Sequence, residues 1–287
     1  MHTQDLQDLA RQWPVHALDT PQGRIGYRRA GDGPWLVLLH GIGSASGSWL
    51  RQLQALSRSF TVLAWEAPGY GCSDPVAAER PAPADYAGRL WSWLDVLAPA
   101  RPPIVLAGHS LGCLMAAAAA GLRPQQVRRL VLLAPAQGYG LADPALRQAR
   151  LADRLDMLAR LGPTGLAAQR GAAMLSPQAD PGLRAYVQSL MAAIRPAGYT
   201  QAAHLLADAD LAGLLAAVGC PVTVASGSAD TITPAAGCSA LAARVGAPYL
   251  SLGPVGHACA LEAADAVNGL LLQTPTDPDQ EPGEPRP

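Results

Sequence analysis

LAGHSLG, at residues 106–112, is the stretch that decides the fold. It continues the short apolar run 104–107 and leads into the Ala-rich stretch 111–122, which predicts a buried strand, a tight turn and a helix. The turn has the G-x-S-x-G pattern, whose glycines let strand and helix come close and leave Ser110 on an exposed elbow. A helix N-terminus beneath the serine also favours developing negative charge. Ser110 is therefore a candidate nucleophile.

Strand-like and helix-like segments alternate on both sides of this turn. Short apolar runs bounded by Gly or Pro predict buried strands at residues 35–39, 60–65, 104–107, 130–134, 222–225 and 249–252. The stretches between most of them have helical length, as at 48–56, 86–98 and 111–122. An N-terminal hairpin at 15–19 and 24–29 completes eight strands. The order is typical of an α/β fold, with a doubly wound and mostly parallel eight-stranded sheet.

The alternation stops between residues 138 and 210, where the sequence is nearly all helix-like. We expect this segment to be a helical lid, inserted between two parts of the α/β core at residues 13–137 and 211–272. The lid is rich in apolar residues, which predicts an apolar pocket lined by side chains such as Met157, Met174 and Met191. Residues 273–287, rich in Pro and acidic residues, are predicted to be disordered.

The composition excludes several kinds of chemistry. The chain contains no lysine, because all 21 basic residues are Arg, and this rules out Schiff-base catalysis, pyridoxal phosphate attachment and a Walker phosphate loop. A formal net charge of −1, with both signs interspersed, argues against a nucleic-acid partner. Five cysteines without a C-x-x-C spacing argue against a zinc site and a disulfide framework. We therefore expect a small-molecule substrate, no cofactor and no metal.

The first thirteen residues are acidic and polar where a signal peptide needs an apolar stretch. The longest apolar run, residues 111–122, is shorter than the ~20 residues that span a bilayer. We expect a cytoplasmic protein that does not bind membranes, and the sequence leaves open whether it is a monomer or a homodimer.

A serine hydroxyl becomes a good nucleophile only when a base takes its proton. His257 follows the last predicted strand directly, and a loop leaving the carboxyl edge of the sheet is where a base would meet Ser110. His109 lies beside the serine, but its side chain is expected to point elsewhere on the elbow. His257 is therefore the candidate general base.

The base in turn needs a carboxylate that fixes its tautomer and stabilises the imidazolium ion. Asp230 follows the predicted strand at 222–225, again at the carboxyl edge. Asp143 and Asp210 are alternatives, although both lie near the ends of the lid. Asp230 is the candidate acid.

Acyl transfer also needs backbone N–H groups that are already aimed at the developing oxyanion. Leu111, the residue after the candidate nucleophile, supplies one such donor. The loop after strand 35–39 has the sequence HGIG at residues 40–43, and the N–H of Ile42 is the candidate for the second donor.

With these elements in place, the chain resembles the α/β-hydrolases with a lid, which include small esterases, lactonases and C–C bond hydrolases. The matching motifs span residues 15–272 in the order LLHGIG (38–43), WEAPGYGCSDP (65–75), LAGHSLG (106–112), GSAD (227–230) and GHACALEAADAVN (256–268). By this resemblance Ser110, Asp230 and His257 occupy the triad positions, and Ile42 and Leu111 the oxyanion positions. The resemblance implies hydrolysis of a small, largely apolar carboxylic ester or lactone through an acyl-enzyme.

Three alternatives remain open. C–C bond hydrolases of the meta-cleavage type tend to have Asn and Trp where this chain has His109 and Ala258. A Rossmann-type dehydrogenase would use glycines at 41–47 and Glu66, but the glycine spacing is not G-x-G-x-x-G. A third alternative is a non-catalytic small-molecule binder on the same fold. Cys113 also departs from the family's usual Gly or Ala, and we interpret it as a small apolar packing residue.

Overall fold

The computed structural model describes residues 3–273, and one eight-stranded sheet forms its centre. The strands are β1 (His16–Leu18), β2 (Ile25–Ala30), β3 (Trp35–Leu39), β4 (Thr61–Trp65), β5 (Ile104–His109), β6 (Val127–Leu133), β7 (Val222–Ser226) and β8 (Tyr249–Ser251). Their order across the sheet is β1-β2-β4-β3-β5-β6-β7-β8. The pairs β1–β2 and β2–β4 are antiparallel and all the others are parallel, which confirms the predicted sheet.

Helices connect most of the strands. Within the described residues they are α1 (Thr3–Gln12), α2 (Leu50–Leu56), α3 (Pro83–Leu97), α4 (Gly112–Leu122), α5 (Pro144–Arg170), α6 (Pro181–Ala192), α7 (Pro196–Asp208), α8 (Leu211–Leu215), α9 (Ala235–Arg244), α10 (Cys259–Glu262) and α11 (Ala264–Leu272). Short 3₁₀ turns lie at Ser46–Trp49, Pro124–Gln126 and Gly171–Met174. α1 lies ahead of the predicted core, and its Leu6 and Leu9 are buried.

The winding of the chain creates a crevice between two strands. The connection from β3 leads to β4 on one side, and the chain then returns to β5 on the other side of β3. Because such crossovers are right-handed, α2 lies on one face of the sheet and α3 on the other. Helix α4, which follows β5, packs against α3 and therefore lies on the face opposite α2. The loops that leave the carboxyl ends of β3 and β5 therefore diverge, and open α/β sheets bind ligands at such a switch point.

The core explains why the strands read as continuous apolar runs. All five residues of β4 are buried, and so are all six of β5. Trp65, the last residue of β4, is fully buried, and so are Trp49, Trp91 and Trp93. Strands covered by helices on both faces need no polar side, so the alternation typical of half-exposed strands is missing.

The segment between β6 and β7 contains helices α5 to α8 and no strand of the sheet. Helix α5 bends at Gly162, where φ is 62° and ψ is −179°, and Pro163 follows. The two ends of the segment meet, since the Leu211 N–H donates to the Gln137 carbonyl and the Gly140 N–H donates to the Ala209 carbonyl, each over 2.9 Å.

Residues 3–273 contain no helix with both the length and the apolar character needed to cross a membrane. The predicted disordered end falls on residues 274–287, outside the described residues, apart from Gln273.

Candidate active site

Ser110 lies on a strained turn between β5 and α4. Its φ is +53°, in the left-handed region that side chains other than Gly rarely adopt. A Cβ on Gly108 would lie 2.5 Å from the carbonyl oxygen of Gly112, and one on Gly112 would lie 2.3 Å from that of Leu39. Both glycines are therefore required for strand and helix to approach this closely, as the G-x-S-x-G pattern predicts.

Asp230 and His257 are brought together by the loops that follow β7 and β8. The Nδ1 of His257 lies 2.8 Å from Oδ2 of Asp230, and the two side chains are only 2% and 0% exposed. A carboxylate accepts, so Nδ1 carries the hydrogen and a neutral imidazole keeps Nε2 free to accept a proton. This is the arrangement that a general base requires.

Hydrogen bonds keep the carboxylate of Asp230 charged. Its Oδ1 accepts from the backbone N–H groups of Ile232 (2.8 Å) and Thr233 (3.0 Å). Burial by itself raises the pKa of Asp230, but the hydrogen bond and charge of His257 and the hydrogen bonds of Thr233 outweigh it and hold the pKa below its ordinary value. Asp230 is thus ionised at neutral pH.

Thr233 is a site residue that the sequence analysis missed. Its hydroxyl lies 2.8 Å from Oδ2 of Asp230, 3.2 Å from Nδ1 of His257 and 3.1 Å from the Ala134 carbonyl. It fixes the plane of the carboxylate that faces the histidine. Its place three residues after Asp230, where a carboxylate caps a turn, is the signal that could have identified it.

His109 is also tied to this pair. Its Nε2 donates to the backbone carbonyl of His257 over 2.7 Å, and the two rings lie 4.8 Å apart between centroids. Burial, together with the nearby His257 ring, lowers the pKa of His109 to about 3. His109 is therefore a neutral residue that holds the His257 loop, and it is not among the residues that line the cavity of Ser110.

A second buried histidine supports the loop that carries the candidate oxyanion donor. The Ala67 N–H donates to Nε2 of His40 over 3.0 Å, so the hydrogen is on Nδ1, which donates to the Gly41 carbonyl. Burial lowers the pKa of His40 to about 4. A Cβ on Gly41 would lie 2.8 Å from the Cβ of Ser110, so the loop passes directly over the elbow.

The rival residues of the sequence analysis have other roles. Asp143 caps α5 and Asp210 caps α8, each accepting two backbone N–H groups. Glu66, the acid of the dehydrogenase alternative, is buried and accepts from the Ser46 hydroxyl and N–H. Cys113 is fully buried, with Sγ 3.2 Å from the Gly108 carbonyl.

Ser110 and His257 line one cavity of about 230 Å³ at the carboxyl edge of the sheet. Of the oxyanion candidates, Ile42 lines it as well, and Leu111 is buried next to Ser110. The predicted apolar wall is present, formed by Leu166, Met174, Met191, Leu206 and Ile232, whereas Met157 lines a neighbouring groove. The cavity also contains two residues that the sequence did not indicate, Arg154 and Arg170.

No group of three or more His, Cys, Asp or Glu side chains within residues 3–273 is arranged to hold a metal ion. The model of the alpha/beta hydrolase fold family matches residues 34–264. The chain belongs to this family. It is an alpha/beta hydrolase, and its loops place Ser110, Asp230 and His257 in the chain order that this fold uses.

Individual relatives agree with this assignment. The hydrolase is 31% identical over 216 residues to the pimeloyl-[acyl-carrier protein] methyl ester esterase of Pseudoalteromonas atlantica, covering 72% of this chain and 80% of that protein. It is 32% identical over 109 residues to the (E)-2-((N-methylformamido)methylene)succinate hydrolase of Acinetobacter baylyi, so the match spans 37% of this chain and only 40% of that relative's length. A thermophilic esterase from Thermogutta terrifontis has the same fold, with a TM-score of 0.80, 21% identity, and coverage of 90% of this chain and 96% of the esterase. The family model and the methyl ester esterase support a hydrolytic enzyme, and the thermophilic esterase supports the fold.

Proposed function

We propose that the protein is a serine hydrolase that cleaves a small carboxylic ester or lactone through an acyl-enzyme. Ser110 is the nucleophile, His257 the general base and Asp230 the acid that orients it. The observation that carries the proposal is the buried Asp230–His257 hydrogen bond at a cavity that Ser110 also lines. The curated relative that is a methyl ester esterase supports an ester as substrate.

The chemistry follows in two balanced steps. His257 takes the proton of the Ser110 hydroxyl while its oxygen attacks the ester carbonyl, and the tetrahedral intermediate expels the alcohol, which receives that proton. In the second step a water molecule gives its proton to His257 and attacks the acyl-enzyme. The carboxylic acid leaves and Ser110 regains its hydrogen. For a lactone, both products are one hydroxy acid.

The backbone N–H groups of Ile42 and Leu111 are proposed to hold the oxyanion in both steps. Leu111 stands directly before α4, so the positive end of that helix dipole also faces the charge. His40 orients the other loop through its hydrogen bonds to Gly41 and Ala67. This gives His40 a positioning role that its buried, neutral state suits.

We further propose that residues 138–210 form a lid over this cavity. Helix α5 contributes Leu166, and helices α6 and α7 contribute Met191 and Leu206 to its wall. The cavity is smaller than the roughly 300–1,000 Å³ of sites for drug-sized ligands, which favours a small substrate.

The experiment is hydrolysis of p-nitrophenyl esters from acetate to decanoate by the wild type and by Ser110→Ala. The expected result is a loss of about 10⁶ in kcat in the variant, because a triad without its nucleophile loses nearly all of its rate enhancement. Ser59→Ala, at an exposed serine outside the cavity, is the matched control and is expected to keep full activity.

A Ser110→Ala variant that keeps most of its activity would refute the assignment. If no ester is cleaved but a fluorophosphonate probe still labels Ser110, a C–C bond becomes the substrate to test. Absence of both activities would favour a non-catalytic binder.

A further inference from the structure

Arg154 and Arg170 face the cavity that contains Ser110, and the residues lining that cavity include no Asp or Glu. The chain as a whole is close to neutral, with a formal net charge of −1. Two guanidinium groups in the same cavity as the candidate nucleophile therefore give this cavity a local positive charge, while Asp153 and Asp156 line the neighbouring groove that both arginines also border.

Within residues 3–273, neither Arg154 nor Arg170 forms an ion pair. In the part of the chain that the structure describes, the arginine–carboxylate pairs involve Arg11, Arg24, Arg80, Arg101, Arg123 and Arg147 instead. Both side chains are half-buried. A partly buried guanidinium has five N–H donors, and leaving them without acceptors is costly.

The electrostatics point the same way. Burial lowers the pKa of Arg170, and the like charge of Arg154 lowers it further. Two like charges that approach each other repel. An anion bound between the two guanidinium groups would offset this repulsion and accept hydrogen bonds from their N–H groups.

The kink in α5 is what brings the two arginines together. They are sixteen residues apart, which along a straight helix corresponds to about 24 Å. The bend at Gly162 and Pro163 lies between them, and both line the same cavity as a result. Tyr139 and Tyr199 line it beside them and add hydroxyl groups.

We propose that Arg154 and Arg170 bind a carboxylate of the substrate at a distance from the scissile bond. The substrate class is then a half-ester or lactone that carries a free carboxylate, such as a monoester of a short dicarboxylic acid. Guanidinium groups suit this ligand, because their planar donors match the two oxygens of a carboxylate. This inference takes from the proposed function only that an ester or lactone bond is cleaved. The carboxylate site itself does not depend on that cleavage.

The test compares matched substrates that differ only in charge. One pair is the p-nitrophenyl half-ester of adipic acid and its terminal carboxamide, and the other is 4-carboxyphenyl and 4-carbamoylphenyl butanoate. The two pairs place the carboxylate on the acyl and on the alcohol side of the ester. The quantity measured is the ratio of kcat/KM for the charged substrate to that for its neutral partner.

We expect the wild type to favour the charged member of at least one pair. Arg154→Gln and Arg170→Gln should each lower the ratio about 10- to 100-fold, as expected for the loss of a charge-assisted hydrogen bond. The matched control is Arg150→Gln. Arg150 is on the same helix but lines only the neighbouring groove that contains Met157, so its ratio should equal that of the wild type. An unchanged ratio in both cavity variants, or an equal loss on charged and neutral substrates, would overturn the proposal.

Direct binding separates this proposal from the proposed function. Isothermal titration of the wild type with adipate should detect binding that Arg170→Gln weakens about tenfold or more, whether or not any ester is cleaved. If Ser110 fails to react but adipate binding still depends on Arg170, only the proposed catalysis is wrong. Binding that Arg170→Gln leaves unchanged would overturn the carboxylate site even in an active esterase.

Discussion

Asp230 is a buried carboxylate that stays charged because hydrogen bonds and one histidine stabilise its ionised form. Two backbone N–H groups hold Oδ1, while Thr233 and His257 share Oδ2. Each donor favours the ionised form, so the carboxylate can fix the Nδ1–H tautomer of His257. In the proposed mechanism this side chain acts through the histidine and has no need to enter the cavity.

Replacing Asp230 by Asn is expected to reduce kcat for an ester about 10⁴-fold, because the amide can donate to Nδ1 and reverse the tautomer of His257. The measurement is the steady-state rate at pH 7.5. The matched control is Asp143→Asn, since Asn caps a helix as well as Asp and Asp143 caps α5. Equal activity in the two variants would show that Asp230 is not the acid.

The candidate triad could be predicted from the sequence because each member lies in the turn or loop after a predicted strand, although β8 is mostly exposed and not buried as its apolar run predicts. Ser110, Asp230 and His257 come after β5, β7 and β8, and parallel strands bring their carboxyl ends to one edge. The hydrogen bond of His109 to the His257 carbonyl could not be predicted, because no sequence pattern identifies the partner of a residue next to the elbow.

Apolar runs predicted the positions of the strands well, but charged residues obscured the start of β6. β6 begins at Val127, three residues before the predicted start, since Arg128 and Arg129 interrupt the apolar run. Arg129 is nevertheless buried and donates to the Leu270 carbonyl. Gly162 and Pro163 bend α5 without ending it, and the position of Arg154 and Arg170 on one cavity depends on that bend, which no periodicity of the sequence encodes.

The elbow makes a prediction about folding. Gly112→Ala should destabilise the protein by about 2 kcal/mol or more, because the new Cβ would lie 2.3 Å from the Leu39 carbonyl oxygen and the backbone must shift. The control is Gly269→Ala, on α11, where an added Cβ meets nothing within 4 Å. That change should stabilise the protein by up to about 1 kcal/mol. Urea unfolding measures both, and similar stabilities of the two variants would contradict the close packing at the elbow.

Two of the buried histidines, His40 and His109, affect the stability of the whole molecule. An unfolded chain protonates them below their ordinary pKa of 6.5, whereas the folded chain keeps His40 neutral to about pH 4 and His109 to about pH 3. Their contribution to stability is therefore complete above pH 6.5 and is lost as the pH falls. Each histidine should lower the free energy of unfolding by about 1 kcal/mol per pH unit between pH 6.5 and 5, and the slope approaches about 1.4 kcal/mol per pH unit once the unfolded chain is fully protonated.

Urea titrations at pH 8, 6.5 and 5 measure this loss. His40→Gln should reduce the pH dependence by about half of the two-histidine effect, while His16→Gln, at an exposed site, should follow the wild type. A His40→Gln variant with the wild-type slope would show that protonation of His40 does not oppose folding.

The backbone hydrogen bonds between Gln137 and Leu211 and between Gly140 and Ala209 close the helical segment 138–210 at its base. The chain leaves the sheet and returns to it at nearly one point. Ser110, Asp230 and His257 all lie outside this segment, while both arginines lie within it. Recombination could therefore replace the whole segment in one event. The recombinant protein would keep the candidate triad and acquire a different substrate specificity.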